Sequence, residues 1–109
     1  MPDERAFAAL SASTATISTH LAYLASVADW LARQGVRSEV ADGYVRSIFA
    51  GVGRGLAEGT TPLTALVAAH ETPTGINEQL RRAWFDESAH DTLHEALDDV
   101  RTRLMAPSR

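Results

Sequence analysis

The 109-residue sequence contains neither cysteine nor lysine. Without cysteine there is no thiol nucleophile, no disulfide and no thiolate metal site. Without lysine there is no Schiff-base chemistry and no phosphate-loop lysine. All ten basic residues are arginine, set against 14 acidic ones for a formal charge of −4. Aromatic residues are scarce, and none interleave with a basic stripe, so nucleic acid is not expected as a partner. Long apolar runs are missing too. The longest, such as Ala65 to Ala69, fall far short of the roughly 20 residues a bilayer span needs. Met1-Pro2-Asp3-Glu4-Arg5 lacks the basic-then-apolar order of a signal peptide. These absences point to a cytoplasmic protein with no membrane partner.

What is present is helical periodicity. The length fits one domain, residues 1–109, with no internal repeat or Pro-rich linker. The fold class expected is all-α, with about five helices. The first helix spans about Ser13 to Gln34, and its apolar residues Ile17, Leu21, Leu24, Ala28 and Leu31 step by 4, 3, 4, 3. Such a seam suits helix–helix packing. A second edge, Tyr23, Val27 and Trp30, is also apolar, which predicts neighbours on two sides. Gly35 is read as the stop.

The second helix opens at Ser38 and ends at Gly59. Gly51, Gly53 and Gly55 lie inside it, each costing about 1 kcal/mol of helix propensity against Ala. Close approach of another helix or of the chain is the expected compensation. In the short third helix Thr61 is read as the cap and Pro62 as the first residue, with Leu63, Leu66 and Val67 pointing inward. The fourth follows Thr72-Pro73 and carries Ile76, Leu80, Ala83 and Trp84. The fifth opens at Ser88-Ala89-His90-Asp91, carries Leu93, Leu97, Val100 and Leu104, and leaves Ala106 to Arg109 frayed. Residues Ala6 to Thr19 are read as either a flexible lead-in or an extra helical turn.

Several patterns invite chemistry. Gly51-Val52-Gly53-Arg54-Gly55 lacks the spacing and the preceding strand of a dinucleotide loop. His90 and His94 share a helix face near Asp91, Glu95 and Asp98, yet no third ligand is identifiable, so no metal is assigned. His20 falls beside the apolar seam and reads as a buried, hydrogen-bonded residue. Neither it nor His70 has partners at triad spacing.

The most pointed segment is Thr72-Pro73-Thr74-Gly75-Ile76-Asn77. A helix starting at Thr72 would need no glycine in its first turn, where Ala is the better helix former. Gly75 is therefore expected to make room for the close approach of a ligand or of backbone. The N–H groups of Thr74, Gly75, Ile76 and Asn77 would face an anion, and Asn77 adds a donor and an acceptor.

This turn resembles the Ser-Pro-Gly-Gly-Thr-Thr signature of the C-terminal domain of pyrroline-5-carboxylate reductases. The order of elements is also similar: a long helix, Gly35-Val36, a small-residue helix, a Thr-Pro-Leu helix, the Thr-Pro-x-Gly turn and a Leu-rich helix. The likeness covers about Ala9 to Leu104 and is strongest over Leu24 to Val36 and Thr72 to Leu97. It implies an intertwined homodimeric bundle like the 6-phosphogluconate-dehydrogenase-type C-terminal domain. It also implies a part in the NAD(P)H-dependent reduction of a cyclic imine carboxylate to a proline-type product. Thr72, Thr74, Gly75, Ile76, Asn77 and Glu58 would bind the small carboxylate substrate, with Asn77 in the catalytic position. Thr74 stands where the signature has its first Gly, and Asn77 where it has a Thr. No nucleotide-binding half is present, so the chain alone is expected to bind no cofactor and to be inactive. Met1 fits either a piece of a longer reductase or a separately encoded domain. The alternative is a non-catalytic helical homodimer acting as an interaction scaffold.

Overall fold

A computed structural model describes residues 3–106. They form six α-helices: α1 (Glu4–Ser13), α2 (Thr16–Arg33), α3 (Ser38–Glu58), α4 (Leu63–Ala69), α5 (Ile76–Trp84) and α6 (Glu87–Met105). No strand occurs among the described residues. The five expected helices are α2 to α6. The lead-in forms a helix of its own, α1, because Asp3 caps it by accepting the Ala6 N–H at 2.8 Å. Of the tail expected to fray, Pro107 to Arg109 lie outside the described residues. No described helix is long and apolar enough to cross a membrane.

The chain divides into two units, one of residues 16–60 and the other of residues 1–15 with 61–109. In the first unit α2 and α3 form a helical hairpin. Its corner is dictated by Gly35. The Val36 N–H bonds the Leu31 carbonyl at 3.2 Å and the Gly35 N–H bonds the Ala32 carbonyl at 3.1 Å, with Gly35 at φ +99°. This is the glycine-dependent helix stop in its complete form, and only glycine holds that φ without strain. Beyond the corner, Ala41 and Val45 of α3 are buried, while Tyr23, Leu24, Val27, Ala28 and Leu31 of α2 are half-buried. The Tyr23 and Phe49 rings meet edge-on at 6.0 Å.

The face that α2 buries therefore straddles both expected stripes. Leu24, Ala28 and Leu31 come from one and Tyr23 and Val27 from the other, whereas Ile17, Leu21 and Trp30 are exposed. His20 is exposed as well, stacked on Tyr23 at 6.4 Å, not buried. Within the chain the glycines of α3 meet almost nothing. A Cβ at Gly53 or Gly55 would have no neighbour within 4 Å, and one at Gly51 would meet only the Arg54 side chain. The close approach expected there is not made within the hairpin.

In the second unit α1 lies against α6. Ala8 and Ala12 are buried one turn apart, and Leu93, Leu97 and Val100 are half-buried. Small residues on one helix let the larger row of the other approach. Asp86, not Ser88, caps α6, accepting the Ala89 N–H at 2.9 Å. Helix α4 starts one residue later than expected, with Pro62 in the cap position and no side-chain cap. Of its inward set only Leu66 is half-buried; Leu63 and Val67 are exposed.

Candidate functional site

The Thr72–Asn77 segment connects α4 to α5, and the structure assigns each residue a place. Thr72 does not cap the helix. It opens a four-residue turn in which its carbonyl accepts the Gly75 N–H at 2.8 Å. Pro73 follows at the first corner, where its fixed φ suits the turn. Thr74 occupies the second corner at φ +61°. That corner of a type II turn demands positive φ and ordinarily takes glycine, so a β-branched residue there is strained. Its hydroxyl donates to the Pro73 carbonyl at 2.5 Å. Helix α5 begins only at Ile76, with Gly75 as its cap residue.

This geometry changes the account of Gly75. Its φ is an ordinary −79°, so conformational freedom is not the requirement. A Cβ there would fall on the Thr72 Oγ1 and 2.9 Å from the Thr72 carbonyl oxygen. The space above Gly75 is filled by the turn itself: of the two close approaches expected there, it is the chain's own, by Thr72, that is made.

The turn is held from outside by a fork. Glu71, just after α4, accepts two bonds from the Arg81 guanidinium: one from Nε to Oε2 and one from Nη2 to Oε1 at 2.9 Å. Two-pronged Arg–carboxylate pairing fixes geometry as well as charge. Hydrogen bonding by Arg81 is the main reason the Glu71 carboxyl sits below its ordinary pKa, against an opposing desolvation effect. The same bond raises Arg81. The pair spans ten residues across an irregular turn, so no i, i+4 pattern announces it, and sequence reasoning missed it. The one available signal was an acidic residue just before a turn and Arg81-Arg82 one helical step beyond it.

The other predicted residues are less gathered. No side chain caps α5. Its first residues, Ile76 and Asn77, stand exposed at the helix mouth, Ile76 at 83% of its full surface. Glu58 ends α3 in the other unit and is exposed. Among the described residues no three His, Asp or Glu side chains gather as a metal-binding set. Along α5, Ile76, Leu80 and Trp84 repeat at i, i+4, i+8 and are all exposed.

Set beside known proteins, the chain matches no family profile, no curated protein and no solved structure.

Proposed function

We propose that this chain is a helical self-association module in which a second copy covers the open end of the α2–α3 hairpin. One observation carries the reading. The α3 stripe Ala41, Val45, Phe49, Val52, Leu56 keeps one helical face throughout. Its exposure nevertheless climbs from 1% at Ala41 and 3% at Val45 to 40% at Val52 and 51% at Leu56. The α2 residues toward the same end, Leu21 and Ile17, are exposed too. Along α3, Tyr44, Ile48, Gly51 and Gly55 form an adjoining uncharged side.

Six large apolar side chains toward that end and on the adjoining side of α3 stand exposed: Ile17, Leu21, Tyr44, Ile48, Val52 and Leu56. At roughly 100 Å² each they amount to about 600 Å² per copy, or about 1,200 Å² for a pair, the lower end of the range for specific interfaces. A two-fold axis sets the same patch against itself, and an uncharged patch meets no like-charge penalty there. Sedimentation at micromolar concentration tests this: the chain should run as a dimer, and Leu21→Asp with Val52→Asp should give monomers. A folded wild-type monomer across that range overturns it.

A second reading is favoured by the uncapped start of α5. In it the Thr72–Asn77 turn binds a small carboxylate, as the substrate side of a pyrroline-5-carboxylate-reductase-like pocket whose NAD(P)H would be held elsewhere. Helix N-termini hold carboxylates through free N–H groups and partial positive charge. Because Gly75 is needed by the turn, Asn77→Asp is the cleaner probe: it adds negative charge at the helix mouth and leaves the turn intact. Calorimetric titration with L-proline should show binding that Asn77→Asp removes. No heat from the folded wild type at millimolar ligand leaves the association module alone.

A further inference from the structure

We propose that His90 and His94 form a two-imidazole chelate for a late first-row divalent cation, a site independent of the self-association reading. The rings lie one helical turn apart on α6, with centroids separated by 4.1 Å and planes inclined at 34°. Two metal–nitrogen bonds of about 2.0–2.1 Å meeting near a right angle place the donor nitrogens about 3 Å apart. Rings already this close reach that spacing by rotation about their own side-chain bonds, with no movement of the helix.

The surroundings favour a cation. The His90 Nδ1 lies 3.4 Å from the Asp91 carboxylate. That contact favours a proton on Nδ1 and leaves Nε2 as the ligating atom, the arrangement by which carboxylates orient metal-binding imidazoles. Helix α6 carries Glu87, Asp91 and Glu95 around the pair and no basic residue before Arg101, so the local field is negative. His90 is half exposed and His94 is exposed. Entry needs no opening, and water completes the coordination shell. The pair also has a reason to be close: His90 and His94 sit on the shoulder of the Leu93–Leu97–Val100 row that faces α1, at the border between packing and solvent.

Imidazole donors suit Zn(II), Ni(II) and Cu(II), and Cu(II) binds most tightly in that series. It is therefore the probe. Titrating the full chain with Cu(II) at neutral pH should give one ion per chain. Electron paramagnetic resonance should show nitrogen hyperfine coupling. His90→Ala and His94→Ala should each weaken binding by more than the roughly 10–100-fold that loss of an outer-shell partner costs. Acidification should release the metal, because only neutral imidazole ligates. The metal should also raise the thermal midpoint, since it binds the folded helix and not the unfolded chain. Both variants should keep the metal-free melting midpoint, which separates loss of ligand from loss of fold. Stoichiometric binding that survives both substitutions overturns the proposal, as does absence of binding to the folded wild type at 100 µM Cu(II), a concentration of about the order at which weak sites fill.

Discussion

The two ends of the α2–α3 hairpin are built from one sequence pattern and reach opposite outcomes. At the corner, the stop at Gly35 turns α3 back against α2, where Ala41 and Val45 are buried and Leu31, Ala28 and Val27 half-buried. At the far end the same α3 stripe continues through Val52 and Leu56, yet both remain exposed. The difference teaches that periodicity fixes which face a helix offers, while burial depends on whether something meets it. Near the corner a two-bond stop forces the meeting. Further along α3, at Val52 and Leu56, nothing local does so, and the apolar face stays exposed.

The largest expected effect lies at the closed end. Val45→Asp puts an unpaired carboxylate into a site 3% exposed. Burying an uncompensated charge costs several kcal/mol, at least about 3 here, a large share of the stability of a domain this size. Loss of the cooperative melt is the expected reading at any protein concentration. If Val45→Asp melts like the wild type, the closed end is not closed. Leu56→Ala sits at the other end of the same stripe. Its effect should be smaller, about 1–2 kcal/mol, and should be felt only at concentrations where copies associate. In dilute solution it should approach zero, because a side chain already half in water has little to lose. A cost that does not change with concentration would mean that the residue is covered within the chain.

The glycines sharpen the contrast further. Gly53 lies on the side of α3 opposite Gly51 and Gly55, and a Cβ at Gly53 or Gly55 meets nothing within 4 Å among the described residues. Gly53→Ala should therefore stabilise by about 1 kcal/mol, the propensity difference in an exposed helix interior. Gly55→Ala should give a smaller gain, or weaken the dimer, if the adjoining Tyr44–Ile48–Gly51 side is where the second copy packs. Equal gains in urea midpoint at both positions would place the partner elsewhere. At the α4–α5 turn, Thr74→Gly should add about 0.5–1 kcal/mol. Relief of the left-handed cost, about 1–2 kcal/mol, exceeds the extra backbone entropy that glycine loses on folding, about 0.5–1 kcal/mol.

Particular residues explain how much of this was legible beforehand. The all-α class, the span of α3 and the stop at Gly35 were readable because each follows from local chemistry: 3.6-residue periodicity, a serine with an acidic first turn, a glycine past the last apolar step. The buried face of α2 was not readable. Tyr23 and Val27 outcompeted Ile17 and Leu21 only because of where α3 happens to lie. The candidate site was legible as a turn but not in its mechanics. Gly75 read as room for a ligand or for backbone, and the occupant of that space, Thr72, is three residues away through a positive-φ corner that Thr is not expected to adopt. The pairing of Glu71 with Arg81 was fixed by no sequence spacing for the same reason, since the fork exists only once the turn has folded.

That fork supplies the smallest and most specific prediction. The Glu71 carboxyl is held below its ordinary pKa chiefly by the hydrogen bonds from Arg81. A carboxylate lowered by folding contributes stability that is fully present above the unfolded value, about 4.3, and is lost as pH falls through the lower folded value. Wild type should thus exceed Glu71→Gln in urea midpoint at neutral pH, and the two curves should converge as pH drops below about 4, where protonation disarms the wild-type fork. Arg81 remains charged throughout, so the convergence reports Glu71 alone. The gap is expected to be modest, because the guanidinium is partly in water and solvent weakens such a pair. Parallel curves from pH 7 to pH 3 would mean that the turn is held by Thr72–Gly75 closure alone, with the fork a passive consequence of it.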